Sequence, residues 1–255
     1  ERATTVYMVD RVIPMLPEVL SNNICSLKPN VDRLAYSVIF EMNEKANLID
    51  YKIKKTVIHS NVRFTYKTAQ DVIDNKKGEL TTELLLLDRL SKILRKRRQE
   101  NGSINFESTE VKFILDKNNN PIDVYFKESL STNHLIEEFM LLANKTVAKH
   151  IGFPKNKAKP FVYRVHDIPD NDRIATLNNI VKKFGYIINN TSTNKLSSSL
   201  NRLLKNVKGK KEQQMVETLT IRSMAKAVYT TNNIGHYGLA FDYYSHFTSP
   251  IRRYP

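Results

Sequence analysis

Between residues 132 and 150 the apolar side chains Leu135, Ile136, Phe139, Met140, Ala143 and Val147 return every three or four positions. A strand would scatter them over two faces, so the stretch must be a helix that buries one stripe against a core. Gly152 lies just past it as a stop signal. Four further helices are predicted. Residues 82–98 open on Thr82 as N-cap and end in Arg95, Lys96, Arg97 and Arg98, four cations read as dipole capping and solvent face. A second begins after Pro169, with Asp170 as cap and Ile174, Leu177, Val181 and Phe184 repeating before Gly185. The remainder, 196–208 and 212–229, is read as two helices joined by an exposed basic connection.

The strand signals lie between these helices. Residues 34–41 (LAYSVIFE) are predicted as a strand, followed by a turn and a second strand from 50 to about 66. In the second strand the apolar set moves from Tyr51, Ile53 and Val57 to Ile58, Val62 and Phe64, a change of face that predicts a bulge near Val57. A short hairpin, 111–115 and 122–126, turns across Asn118, Asn119, Asn120 and Pro121. The expected class is therefore α/β of the mixed α+β kind, a single domain over 1–255 with a mixed sheet packed by helices.

A hydrophobic content of 41% over 255 residues is enough for a core. No run of about 18 apolar residues is present, so no membrane helix is expected. Cys25 is the one cysteine, which rules out an internal disulfide or a cysteine-rich zinc site and fits a reducing cytoplasm. Forty Lys and Arg against 26 Asp and Glu leave a net charge of +14. Such a surface attracts polyanions, nucleic acid first among them; the alternative is a face of solvated lysines.

Chemistry concentrates near the C-terminal end, in GHYGLA (235–240) and HFTSPIRRYP (246–255). Ser249 followed by Pro250 has the form of a helix start, with Arg252 and Arg253 beside the backbone N–H groups it would leave open. Guanidinium forks and free N–H groups together suit a phosphate. The alternative is a helix start carrying exposed arginines.

These two motifs resemble the signature of the ribonuclease II / ribonuclease R family. The stretch 6–33 (VYMVDRVIPMLPEVLSNNICSLKPNVDR) is similar to the same family, and LIEEFMLLAN (135–144) and PFVYRVHDIPD (160–170) follow in the family's order. The resemblance implies an RNB-type catalytic domain that degrades single-stranded RNA from its 3′ end with Mg²⁺, releasing nucleoside 5′-monophosphates. A monomer is expected, with the 3′ end of RNA as its partner.

On that resemblance, Arg252 grips a phosphate and stabilises developing charge, Glu137 is the active-site glutamate, and Tyr66 positions the terminal nucleotides. Tyr7 and Phe106 form the two sides of an aromatic clamp. Arg253, Asn144, His246, Thr248 and Ser249 line the RNA path, and His236 is either a lining or a structural residue. Without the resemblance, Tyr7 and Phe106 read as core rings, and Glu137 with Glu138 as an exposed pair near a helix start. Helix geometry sets Glu137 and Asn144 on one side of their helix, with Glu138 about 100° further round.

The family's metal-binding aspartates, in a D-x5-D-x-D-D arrangement upstream of the Tyr7 region, have no counterpart among the 255 residues. Asp167, Asp170 and Asp172 have a different spacing and are read as loop and cap. No metal ligand is assigned within the chain. The expectation is a fragment of a longer enzyme, without its metal-binding aspartates and flanking oligonucleotide-binding folds. The alternative is a degenerate homologue that binds RNA without chemistry.

Overall fold

A computed structural model describes residues 4–106, 110–127, 129–153 and 159–254. Helices and short antiparallel strands alternate through them, which is the mixed α/β class expected from the sequence. The strands do not assemble into one mixed sheet. Among the described residues they form four separate two-stranded antiparallel pairs. The chain divides into two compact units, one of 1–95, 108–147 and 246–255, the other of 96–107 and 148–245.

In the first unit the longest element is a ribbon of β3 (Asp32–Met42) and β4 (Leu48–His59), preceded by the short pair β1 (Val6–Tyr7) and β2 (Val12–Ile13). Asn43 closes its turn, its side-chain Oδ1 accepting from the N–H of Lys45 and of Asn47 at 3.0 and 2.9 Å. The bulge expected near Val57 is absent. Val57 pairs with Leu34 in unbroken register, and the only shift recorded in this ribbon lies between Glu41 and Met42. The change of apolar parity has another cause. One face is half-buried near the turn, at Val38, Phe40, Met42, Tyr51 and Ile53; the other is half-buried at the open end, at Arg33, Ala35, Thr56 and Ile58.

The second strand also stops earlier than 66. Residue 65 is a helix cap: Thr65 Oγ1 accepts from Thr68 N–H at 3.1 Å while Thr68 Oγ1 accepts from Thr65 N–H at 2.9 Å. This reciprocal cap starts α1 (Tyr66–Asn75), so Tyr66 opens a helix. The unit also contains α2 (Thr81–Glu100) as far as Arg95, the hairpin β5 (Glu110–Leu115) with β6 (Pro121–Lys127), and α3 (Ser131–Gly152) as far as Val147. Leu90 and Leu94 of α2 pack with Leu142 of α3, Ala46, Phe40 and Met42 in its core.

The second unit rests on three helices after β7 (Tyr163–Val165): α4 (Asn171–Lys182), α5 (Thr193–Val207) and α6 (Gln213–Ser223). Asp170 caps α4 as expected, accepting from Asp172 N–H at 2.9 Å and Arg173 N–H at 3.2 Å. Ile174, Leu177 and Val181 of α4, Leu200, Leu203 and Val207 of α5, and Val216 of α6 form its core. Burying each such side chain stabilises by about 1.5–3 kcal/mol. The last helix ends at Ser223, not at 229. Val228, Tyr229 and Thr230, β-branched or aromatic throughout, form β8 and pair with β7, where the Arg164 guanidinium covers the Tyr229 ring at 4.6 Å.

His166, just past β7, ties three segments of this unit together. Its N–H donates to Gly235 O at 3.0 Å, its carbonyl accepts from Tyr237 N–H at 2.8 Å, and its Nδ1 accepts from Gly238 N–H at 3.0 Å. The ring also bonds the Ala225 backbone, and with Nδ1 accepting, Nε2–H must be that donor. The ring lies stacked on His236 at 5.0 Å. Burial pushes the His166 pKa below its ordinary value, aided by Arg164 and opposed by the Ala225 bond and Asp167. The unfolded chain therefore takes up this proton first. Stability from this group is full above about 6.5 and declines as pH falls through that value toward the lowered folded one. The urea midpoint should drop between about pH 7.5 and 5.5, and His166→Gln should flatten that slope. An equal slope in the variant would remove His166 as its source.

Candidate RNA-binding site

In the first unit, the residues around Tyr7 are stitched to those around Arg252. Thr5 N–H donates to Arg252 O at 3.0 Å, and the Thr4 hydroxyl donates to the same oxygen at 3.0 Å. Thr4 and Arg253 form an antiparallel bridge. Met15 N–H donates back to Thr5 Oγ1 at 3.2 Å, and Met8 N–H to Arg11 O at 2.8 Å, which closes the turn between β1 and β2. Tyr7, paired with Val12, is 62% exposed. Its ring is not used by the core and is open to a ligand.

Residues 246–253 do not start a helix. Arg252 N–H and Arg253 N–H both donate to Ser249 O, at 3.2 and 3.1 Å, and Arg253 then passes into the bridge with Thr4. There is thus no helix start to leave open N–H groups beside Arg252 and Arg253, and their own N–H groups are used within the turn. What remains for an anion is the guanidinium pair, both residues being exposed. Arg252 is steered by its own loop, its terminal nitrogen donating to Ser249 Oγ at 3.2 Å, and Ser249 is buried. The Ser249 N–H donates to His246 O at 3.2 Å, and the half-buried His246 starts the loop. Thr248 N–H donates to Asn144 Oδ1 at 2.9 Å. Asn144, 3% exposed on α3, holds the loop from below rather than facing open space. Thr248 Oγ1 is buried without a hydrogen-bond partner.

The same helix carries the glutamate pair. Glu138 is 3% exposed, whereas Glu137 is exposed. The Glu137 carboxylate lies 3.5 Å from Arg95 and 3.4 Å from His134 Nδ1. Arg95, read from the sequence as solvent face, is instead mostly covered, with 18% of its side chain exposed. Asp88, Ser91 and Arg95 follow helical spacing, and that polar stripe through an apolar helix was the available signal. The core stripe of α3 is also rotated from the expected one. Ile136 is exposed, while Leu141 and Leu142 are buried. Tyr66 sits at the first turn of α3: its carbonyl accepts from Thr132 Oγ1 at 2.9 Å, and Gln70 Oε1 accepts from Ser131 Oγ and Thr132 N–H.

Phe106 belongs to the second unit and packs, half-buried, against its core. It follows a tight turn at Gly102, whose φ is +96°, a conformation that glycine adopts without strain. His236 is structural: its Nδ1 accepts from Leu239 N–H at 3.3 Å beneath the His166 ring. Beside it Tyr237 has a buried hydroxyl without a partner, and burial pushes its pKa up to about 12. Among the described residues no group of three or more His, Cys, Asp or Glu is placed to hold a metal ion. Asp170 is committed to its helix cap, and Asp167 Oδ1 accepts from Ile168 N–H at 2.8 Å. The residues described thus do not fit a Mg²⁺ site.

The chain that carries this exposed aromatic ring and arginine pair falls in a known class. The RNB domain family matches residues 1–255, and the chain belongs to that family. Ribonuclease R 1 of Lactococcus lactis is 38% identical over 261 residues, covering 100% of this chain and 32% of the relative. Ribonuclease R of Thermotoga maritima is 41% identical, over 100% and 36% respectively. The human exosome complex exonuclease RRP44 is 41% identical over 99% of this chain and 27% of its own length. The chain therefore spans about a third of the length of these relatives. Mycoplasma genitalium RNase R, solved in complex with ribose methylated single-stranded RNA, superposes with a TM-score of 0.88 at 29% identity, over 99% of this chain and 40% of that one. No described helix is long and apolar enough to cross a membrane.

Asn144→Ala should free the Thr248 amide and loosen the loop that aims Arg252. The expected cost is about 1–3 kcal/mol, since a buried group loses its partner. Hydrogen exchange at Thr248 N–H should accelerate; unchanged exchange would show that the loop is held elsewhere.

Proposed function

We propose that the full-length protein is a 3′→5′ exoribonuclease acting on single-stranded RNA ends and releasing nucleoside 5′-monophosphates. The observation that carries this reading is the double hydrogen bond from Thr4 and Thr5 onto Arg252 O, which ties the segment leading into the exposed Tyr7 to the loop that carries two exposed arginines. A ring that stacks on a base and a fork that binds a phosphate are the two contacts that hold a single strand without reading its sequence. The ribonuclease R relatives and the RNase R structure with single-stranded RNA support it.

In this reading water attacks the last phosphodiester, a new P–O bond forms, and the 3′ oxygen of the preceding nucleotide leaves. Arg252 binds the phosphate and matches the charge that builds on its oxygens. Tyr7 stacks on a base, and Phe106 is proposed separately as a ring that contacts RNA. Tyr66 orients the terminal nucleotides, Glu137 contacts the end being removed, and Arg253 adds a second cation. Asn144 holds the loop from below, and His246, Thr248 and Ser249 belong to the loop proposed to follow the path. Mg²⁺ is proposed as cofactor of the whole enzyme, with donors other than the described residues. The enzyme is proposed to act as a monomer in the cytoplasm.

Two outcomes are expected in the full-length protein. Arg252→Ala should lower turnover about 100-fold while RNA affinity changes only a few-fold, because its contact strengthens as charge develops. Tyr7→Ala should chiefly weaken retention of short ends, by about 1–3 kcal/mol per stacked base. Single-turnover rates and binding isotherms on oligoribonucleotides separate the two. The isolated 255 residues should release no 5′-monophosphate. Full-length protein that binds RNA tightly yet releases no nucleotide would favour a binding module over an enzyme.

A further inference from the structure

The basic run that ends α2 is not uniform. Lys96 has 78% of its side chain exposed and lies 3.9 Å from Glu100, an ordinary surface pair one turn apart. Arg95 instead turns inward, with its terminal nitrogen 2.6 Å from His134 Nδ1 and 3.5 Å from Glu137 Oε2. A guanidinium has no lone pair to offer, so Arg95 is the donor and His134 Nδ1 the acceptor. That assigns the His134 proton to Nε2, where Ser129 Oγ lies at 3.4 Å. His134 Nδ1 is 3.4 Å from the same carboxylate oxygen, but as an acceptor it cannot donate to it. Between the two basic side chains, the donor to Glu137 is Arg95.

The geometry points to Arg95 as a positioning residue for Glu137, with the His134 ring holding the guanidinium in place. This rests on the proposed ribonuclease reading, in which Glu137 touches the RNA end. The pair is a poor choice for stability. Glu137 keeps 44% of its side chain exposed, and an ion pair so open to water contributes little. Its effect is directional. Arg95 enters from a neighbouring helix, so the carboxylate is held at one end by a fixed charge while remaining open to a substrate. His134 spans the interval because it lies one turn before Glu137 on α3, where positions three apart share a face.

The test uses the full-length protein with a single-stranded oligoribonucleotide as substrate. Arg95→Met keeps the aliphatic stem and removes the donors; Arg95→Lys restores a charge and one donor. Arg95→Met should lower kcat about 10–100-fold, as a misplaced group near reacting atoms does, with KM within about 3-fold of the parent. Arg95→Lys should recover most of the rate, and the melting temperature of both variants should stay near the parent's. In a Glu137→Gln background Arg95→Met should cost nothing further, because its effect passes through that carboxylate. Equal losses in both backgrounds, or parental kcat in Arg95→Met, would overturn the inference while leaving the ribonuclease reading intact. A full-length protein without nucleotide release would sink that reading and the inference with it.

Discussion

The Arg252 carbonyl accepts two hydrogen bonds from residues 4 and 5, across 248 positions of sequence in the case of Thr4. Closing a loop of that length costs roughly 5 kcal/mol of chain entropy by the logarithmic law, and each exposed bond returns only about 1. The bonds therefore do not make the closure. Packing of the rest of the unit, including the Asn144 anchor beneath Thr248, brings the two segments together, and the bonds then set their relative alignment. Tyr7 and Arg252 inherit their placement from that closure.

The stretches that resemble a known family prove to be paired in space. LIEEFMLLAN supplies Asn144 to the HFTSPIRRYP loop, and Thr5, immediately before the N-terminal stretch, donates to the same loop. In the other unit PFVYRVHDIPD supplies His166, which accepts from Gly238 and stacks on His236 within GHYGLA. Residues far apart in sequence thus form one knot within each unit. The second knot also accounts for its histidines: both Nδ1 atoms accept backbone N–H groups, which is turn-holding work.

Much of this was legible in the amino-acid order. The helix periodicity of α3, α4 and α5 and the Asp170 cap were visible because they depend on local spacing alone. The chemistry-bearing segments could be found from their unusual density of arginine, histidine and hydroxyl groups. Tyr66 was misplaced on a strand because a Thr–Thr reciprocal cap is a weaker textual signal than one made with Glu or Gln. The helix through 229 ran too far because only pairing with β7 marks 228–230 as a strand. Arg95 is hard to pick out among three other cations, since the charge run alone does not say which member turns inward and only its spacing from Asp88 and Ser91 marks it. The choice between Glu137 and Glu138 for burial depends on what packs against α3.

The β3–β4 ribbon buries opposite faces at its two ends, and this has a consequence for how it is assembled. An ordinary amphipathic hairpin guards its alignment with a single buried stripe. Here a slip of one position would turn Phe40 and Met42 outward at the turn and, at the same moment, evert Ala35 and Ile58 at the far end. Misalignment is thus penalised twice, at points about seven residues apart along an extended strand, or roughly 20 Å. Such a ribbon acts as its own ruler, fixing where residue 59 ends and hence where the Thr65 cap and Tyr66 begin.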